Sequence, residues 1–377
     1  MPSLRIEQND KLTDLTALAK LRTVKGELSI KENDVLARLG LGALETLGTL
    51  TVSGNAALES VDGLDRATRI DTVKIEQNPL LKSLGGLSGL REVPDILYIA
   101  QNPALTTLAG LENLGAGGAI LIASNQALTS FRPLSGLRYA GSLFLSDSPA
   151  ITSLEDFSGI PELGGLGVES MPGLTSLSGF EQLTTLEAGL GISSNAGLED
   201  LHGLDGLTSL GALYVYGNDA LVNLAGLDNV ATVAGEVQIE YNPVLESLSG
   251  LGALTSIGAL RLTVNASLRN LAGLENLSYV GDDDSTTGFA ISGNDALVSV
   301  DGLSSLTSMD AYLTLQRNNA LTSLRGFAPL TSINGAFSFW NNASLPTCEV
   351  EWLHDRITGI VDLDTIVGND DAGVCPP

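Results

Sequence analysis

The sequence predicts an all-β chain: a right-handed parallel β-solenoid of about 15 turns of 23–24 residues, ending in a small C-terminal helical cap. Three observations carry that expectation. A nine-residue core, apolar-x-apolar-x-x-Asn-x-x-apolar, recurs along the whole chain. Successive cores lie 22 to 24 residues apart, with one interval of 29. Between cores the apolar residues step by three, whereas one helical stripe needs alternating threes and fours.

Each part of the turn has its own logic. Val237 and Ile239 are two apart, the spacing of a strand with one buried face. Leu245, Leu248, Leu251, Leu254 and Ile257 then step by three, and Ser249, Gly250 and Gly252 among them disfavour a helix. Short extended pieces joined by tight corners satisfy both spacings, and parallel crossovers are expected to wind right-handed. The Asn column comprises Asn9, Asn33, Asn55, Asn78, Asn102, Asn125, Asn195, Asn218, Asn242, Asn265, Asn294, Asn318 and Asn342, with Ser148 and Met171 replacing Asn in two turns. An inward Asn at a corner both donates and accepts, so the column is expected to bond backbone groups and neighbouring Asn side chains. The glycosylation sequons at Asn265, Asn276 and Asn342 carry little weight, because two of the three are ladder residues. Residues 1–346 form the expected solenoid and 347–377 the cap.

Composition bounds the function. The 377 residues carry 19 Lys and Arg against 44 Asp and Glu, a net charge of −25. Such a chain repels phosphate backbones, which argues against a nucleic-acid partner. No apolar run approaches 18 residues, so no membrane insertion is expected. Two His and two Cys leave no room for a zinc site of the common kinds without using all four.

The core at Leu97, Ile99, Asn102, Leu105, Leu108, Gly110 and Leu111 resembles the receptor L-domain family, the leucine-rich single-stranded β-helices of insulin- and EGF-receptor ectodomains and of many bacterial surface proteins. Placing Leu three residues after Asn, as at Leu105, Leu128 and Leu245, favours L domains over ordinary leucine-rich repeats. The resemblance covers residues 1 to about 346. It implies a cell-surface or secreted binding protein, though the family binds unrelated ligands on one scaffold. The tail is similar to the endings of bacterial multi-rung L-domain proteins. There Val350, Leu353 and Ile357 are expected on one helix face, and Cys348 and Cys375, which bracket the cap, fit a disulfide better than two free thiols. The chain enters directly on a strand at Leu4 with no cap or signal peptide ahead of it, which reads as a fragment of an exported protein.

The outward strand positions are the candidate ligand face. Tyr98, Leu121 and Phe144 occupy consecutive turns, Gly167 and Gly191 follow, and then come Tyr214, Tyr216 and Tyr241. Aromatic faces beside a shallow glycine floor suit sugar rings or an extended peptide. Residues 139–260 hold 15 acidic residues and no Lys or Arg, favouring a neutral or cationic partner. Asp282, Asp283 and Asp284, in the long turn, form a weak Ca²⁺ candidate that matches no EF-hand spacing, and Asp370 and Asp371 form another weak one. No other metal and no cofactor is expected. His202 and His354 have no nucleophile fixed near them by motif, and pairs such as Glu155 and Asp156 read as solvated outward positions, so no enzyme is expected. Two other roles stay open: a structural spacer or self-associating surface fibre, and ice binding through outward pairs such as Thr106–Thr107 and Thr129–Ser130. Glu199, Glu246 and Arg269 interrupt that Thr column.

Overall fold

The strands of this chain stack in parallel, each turn's strand hydrogen-bonded to the equivalent strand one turn on, in a leucine-rich-repeat-type β-solenoid of about fifteen turns. The computed structural model describes residues 1–281, 288–361 and 365–375. It divides into two compact units, Met1–Leu183 and Thr184–Pro377.

In the first unit the register runs Leu28↔Leu50↔Val73↔Leu97↔Ile120↔Leu143↔Leu166. Two residues on, Ile30, Val52, Ile75, Ile99, Ile122, Leu145 and Val168 make a parallel column. All fourteen are buried, which is what the period of two in the sequence demands. Burying side chains of this size stabilises by roughly 1.5–3 kcal/mol each. The second unit repeats the design with Leu190↔Leu213↔Val237↔Leu260↔Phe289↔Leu313↔Phe337.

The step of three has a direct structural cause. Leu105, Leu111 and Leu114 each donate their N–H to the carbonyl three residues back, on Asn102, Leu108 and Leu111. A 3₁₀ turn has three residues per turn, so every third side chain points into the core. In six turns of the described residues these bonds extend to short 3₁₀ helices, for example Gly85–Leu87 and Arg132–Leu134.

The Asn side chains bond as a ladder. Asn78 Nδ2 donates to Glu76 O at 2.8 Å, Val52 O at 3.1 Å and Asn102 Oδ1 at 3.3 Å. Its Oδ1 accepts from the backbone and side-chain nitrogens of Asn55. The first unit carries this chain of bonds from Asn9 to Asn125, and its last two turns put buried Ser148 and Met171 in the slot. Ser148 Oγ donates only to Ser146 O, at 3.0 Å. In the second unit the ladder runs unbroken from Asn195 to Asn342 and on to Asn369.

Asn369 revises the expected cap. Residues 347–377 do contain a helix, Thr347–His354, with Val350 and Leu353 buried and Ile357 7% exposed. They also contain strands Thr358–Ile360 and Thr365–Val367, which pair with Ser332–Gly335 and Phe337–Trp340 as another turn of the solenoid. Cys348 and Cys375 form a disulfide with Cα atoms 6.1 Å apart. Among the described residues, no helix is long and apolar enough to cross a membrane.

Candidate functional site

The residue before each ladder position turns the corner in the left-handed backbone region. All twelve described non-glycine residues with positive φ sit there, from Gln8 to Asn341, and Gly54, Gly217, Gly293 and Gly368 fill the same slot in other turns. Most of these residues are polar or Gly, which suits the conformation. Tyr241, with φ 56°, and Val264, with φ 54°, are the bulky exceptions, on successive turns of the second unit.

Strand Leu213–Tyr216 alternates buried and exposed, so Leu213 and Val215 enter the core while Tyr214 and Tyr216 face outward. Tyr214, Tyr216 and Tyr241 are 44%, 47% and 46% exposed. The rings of Tyr216 and Tyr241 lie 5.2 Å apart with their planes at 54°. Parallel register puts Gly191 beside Tyr214 on one side and Gln238 on the other, and it puts Glu240 beside Tyr216. Gly191 has no side chain to cover the Tyr214 ring from that side.

Beyond them come Arg261, opposite Gln238, and Thr263, opposite Glu240. Arg261 Nε donates to Glu236 Oε1 at 3.0 Å and lies 3.9 Å from Glu240 Oε1. The Glu236 hydrogen bond raises the Arg261 pKa, and burial opposes it only in part. Glu240 has a side chain only 12% exposed, yet its carboxylate accepts no hydrogen bond among the described residues. Val264 continues the ridge of Tyr241, 39% exposed.

The six expected ligand residues fall on different units. Tyr98, Leu121 and Phe144 occur in the first, in direct register from strand to strand, and all three are half-buried rather than open. Phe144 lies over Gly167, where an added side chain would strike its ring. The three more exposed tyrosines belong to the second. The acidic triplet Asp282–Asp284 lies outside the described residues. Asp371 accepts from Thr347 Oγ1 at 2.6 Å, and Asp370 Oδ1 accepts from the N–H of Ala372 at 3.1 Å.

One carboxylate expected at the surface is built into a corner instead. Asp156 accepts from Ser130 Oγ at 2.8 Å and from the N–H of Phe131 at 2.9 Å, tying one turn to the next. Fully buried Glu349, which the sequence did not single out, accepts from Arg325 Nε and Nη2 at 3.0 and 2.8 Å and from the N–H of Leu324. The Arg325 guanidinium sits 4.2 Å from the centre of the Trp352 ring. A hollow that the sequence did not reveal, of about 390 Å³, is lined by Thr107, Glu112, Ser130 and Arg132 in the first unit. His202 Nδ1 lies 3.0 Å from Asp205 Oδ1 on an exposed corner of the second.

No protein-family model matches the sequence, and no curated protein is similar to it. Among solved structures it is similar to an internalin (inlF) from Listeria monocytogenes, at 15% identity and TM-score 0.44, over 88% of this chain and 85% of that one. It is also similar to TLR13 in a complex with ssRNA13, at 16% identity and TM-score 0.24, over 91% of this chain and 71% of that one. Likenesses this distant say nothing about function, and the architecture rests on the strand register and Asn ladder above.

Proposed function

We propose that this chain is a non-enzymatic binding module of the cell surface or extracellular space, holding a glycan or an extended peptide against Tyr214, Tyr216 and Tyr241. The observation that carries the reading is the cluster itself: three outward tyrosines, each nearly half exposed, two of them in ring contact. Large contiguous apolar faces on a soluble surface mark contact with a partner. A Tyr side chain supplies a flat apolar face and a polar tip, which suits both sugar rings and extended peptides. The disulfide supports an oxidising compartment.

Glycan and peptide arrays, probed with the wild-type chain and a Tyr214→Ala/Tyr216→Ala/Tyr241→Ala variant, test this. Specific binding that disappears in the folded variant supports the reading. Binding that the variant retains moves the site elsewhere, with the half-buried Tyr98, Leu121 and Phe144 strip next to be replaced. No binding by the wild type favours a structural role.

A further inference from the structure

We propose that the ligand is an extended peptide that lays a Lys or Arg side chain on the Tyr216–Tyr241 ring pair, against Glu240. This inference rests on the binding reading above and narrows it to one chemistry.

Glu240 is the reason. It stands beside Tyr216 in the strand register and directly precedes Tyr241, whose ring packs on that of Tyr216. The Glu240 side chain is packed down to 12% exposure while its carboxylate oxygens still reach the surface, where a partner's donor can meet them. Its only ion-pair partner among the described residues is Arg261, at 3.9 Å, and that guanidinium already donates to Glu236 at 3.0 Å. Glu240 therefore keeps its acceptor capacity for a partner.

The surroundings select a cation. Aromatic faces attract ammonium and guanidinium groups through the ring quadrupole, most strongly where water is thinned out. A carboxylate beside two such faces adds charge-assisted hydrogen bonds. Residues 184–260 contain nine acidic residues and no Lys or Arg, so the local field draws in positive charge. A neutral sugar would use the rings and Glu240 as an acceptor but would gain nothing from the charge. That difference separates the two.

The test uses hexapeptides of Gly and Ala with one central Lys, Arg, norleucine or Glu, titrated against the full chain by fluorescence anisotropy. Lys and Arg peptides should bind roughly ten-fold more tightly than norleucine, with Glu weakest. Glu240→Gln, which keeps the shape and the acceptor but removes the charge, should abolish that preference. Tyr216→Ala and Tyr241→Ala should weaken every peptide, with circular dichroism checking that each variant folds. Equal binding of Lys and norleucine peptides, or a preference that survives Glu240→Gln, overturns the inference. Binding of neutral oligosaccharides through the same tyrosines, unchanged in Glu240→Gln, overturns it and leaves the binding reading standing. If the wild type binds neither peptides nor sugars, both fall.

Discussion

Residues 1–92 and residues 213–264 are built on the same turn and present opposite surfaces. In the first stretch the outward positions pair across neighbouring turns, Arg5 with Glu27, Arg22 with Glu45, Lys82 with Glu59 and Arg69 with Glu92. In the second, tyrosines and carboxylates stand among the outward positions, and the only base is Arg261. Inward, the two stretches are interchangeable: Asn78 and Asn242 make the same four bonds, and the flanking Val and Ile columns are equally buried. The contrast teaches where each property resides. Stability belongs to the inward set, and recognition is free to change turn by turn on the outward one.

The sharpest way to break that division is to remove the ladder residue in each stretch. Asn78→Ala strands the Val52 carbonyl and the Asn55 amide in the core, and Asn242→Ala does the same to Val215 and Asn218. Each loss should cost about 3 kcal/mol or more, since several buried groups lose partners together. Urea unfolding of the two variants should show similar losses. If only one stretch suffers, the turns are not equivalent inside. Ser148 and Met171 set up the converse experiment, because Ser148→Asn offers Asn125 an Oδ1 that the wild type lacks, and a modest gain in stability is expected.

A smaller effect separates the corners. Val264 holds φ 54° with a β-branched side chain, a conformation that disfavours L-residues by about 1–2 kcal/mol. Gly pays back some of that through chain entropy, so Val264→Gly should stabilise by about 0.5–1 kcal/mol. Gln77, at φ 56°, is unbranched, and Gln77→Gly should be close to neutral. Strain kept at Val264 and Tyr241, beside the proposed ligand, is consistent with selection for something other than stability. A Val264→Gly variant that is less stable than wild type would mean that the side chain's packing outweighs its backbone.

Much of this was readable in the chain. Leu97, Ile99, Asn102 and Leu105 fix strand, corner and 3₁₀ step because each spacing has only one geometry that buries every member. The corner slot was harder to see. Gln77, Asp147 and Tyr241 share no chemistry, and only Gly54, Gly217, Gly293 and Gly368 betray the backbone they all adopt. Asn369 was missed because the helix Thr347–His354 stretches the last interval beyond the repeat. Glu349 and Asp156 escaped because a carboxylate's partners come from the neighbouring turn, and sequence spacing does not say which backbone N–H a corner leaves free. Alternation identified outward positions, but whether Phe144 is covered and Tyr214 open depends on how each ring leans across the next strand.

On the ion-paired surface the expected effects are smaller again. Arg69 bonds Glu92 and Asp71 with about half its side chain in water. Arg69→Ala should therefore lower the urea midpoint only slightly, and less still in high salt. A larger loss would place structural work on the outward set and blur the distinction between the two stretches.

The smallest effect probes the acidic field directly. His202 is the one basic side chain among residues 184–260. Its hydrogen bond with Asp205 raises its pKa above 6.5, the charge of Asp200 adds to this, burial opposes it, and Asp205 and Asp228 contribute further attraction. The sign follows from linkage: a raised folded pKa contributes stability below 6.5, and that contribution is lost as pH climbs through the folded value. Asp205 is shifted the other way, chiefly by the N–H of Gly203, so its contribution holds above 3.8 and is lost as pH falls through its own folded value. An NMR titration should place the His202 midpoint above 6.5, and Asp205→Asn should move it down further than Asp200→Asn does. A midpoint at or below 6.5 would mean that solvent screens these carboxylates at an exposed corner. The attraction of a cationic ligand would then rest on contact with Glu240 and its tyrosines alone, with no help from the charge of the surrounding turns.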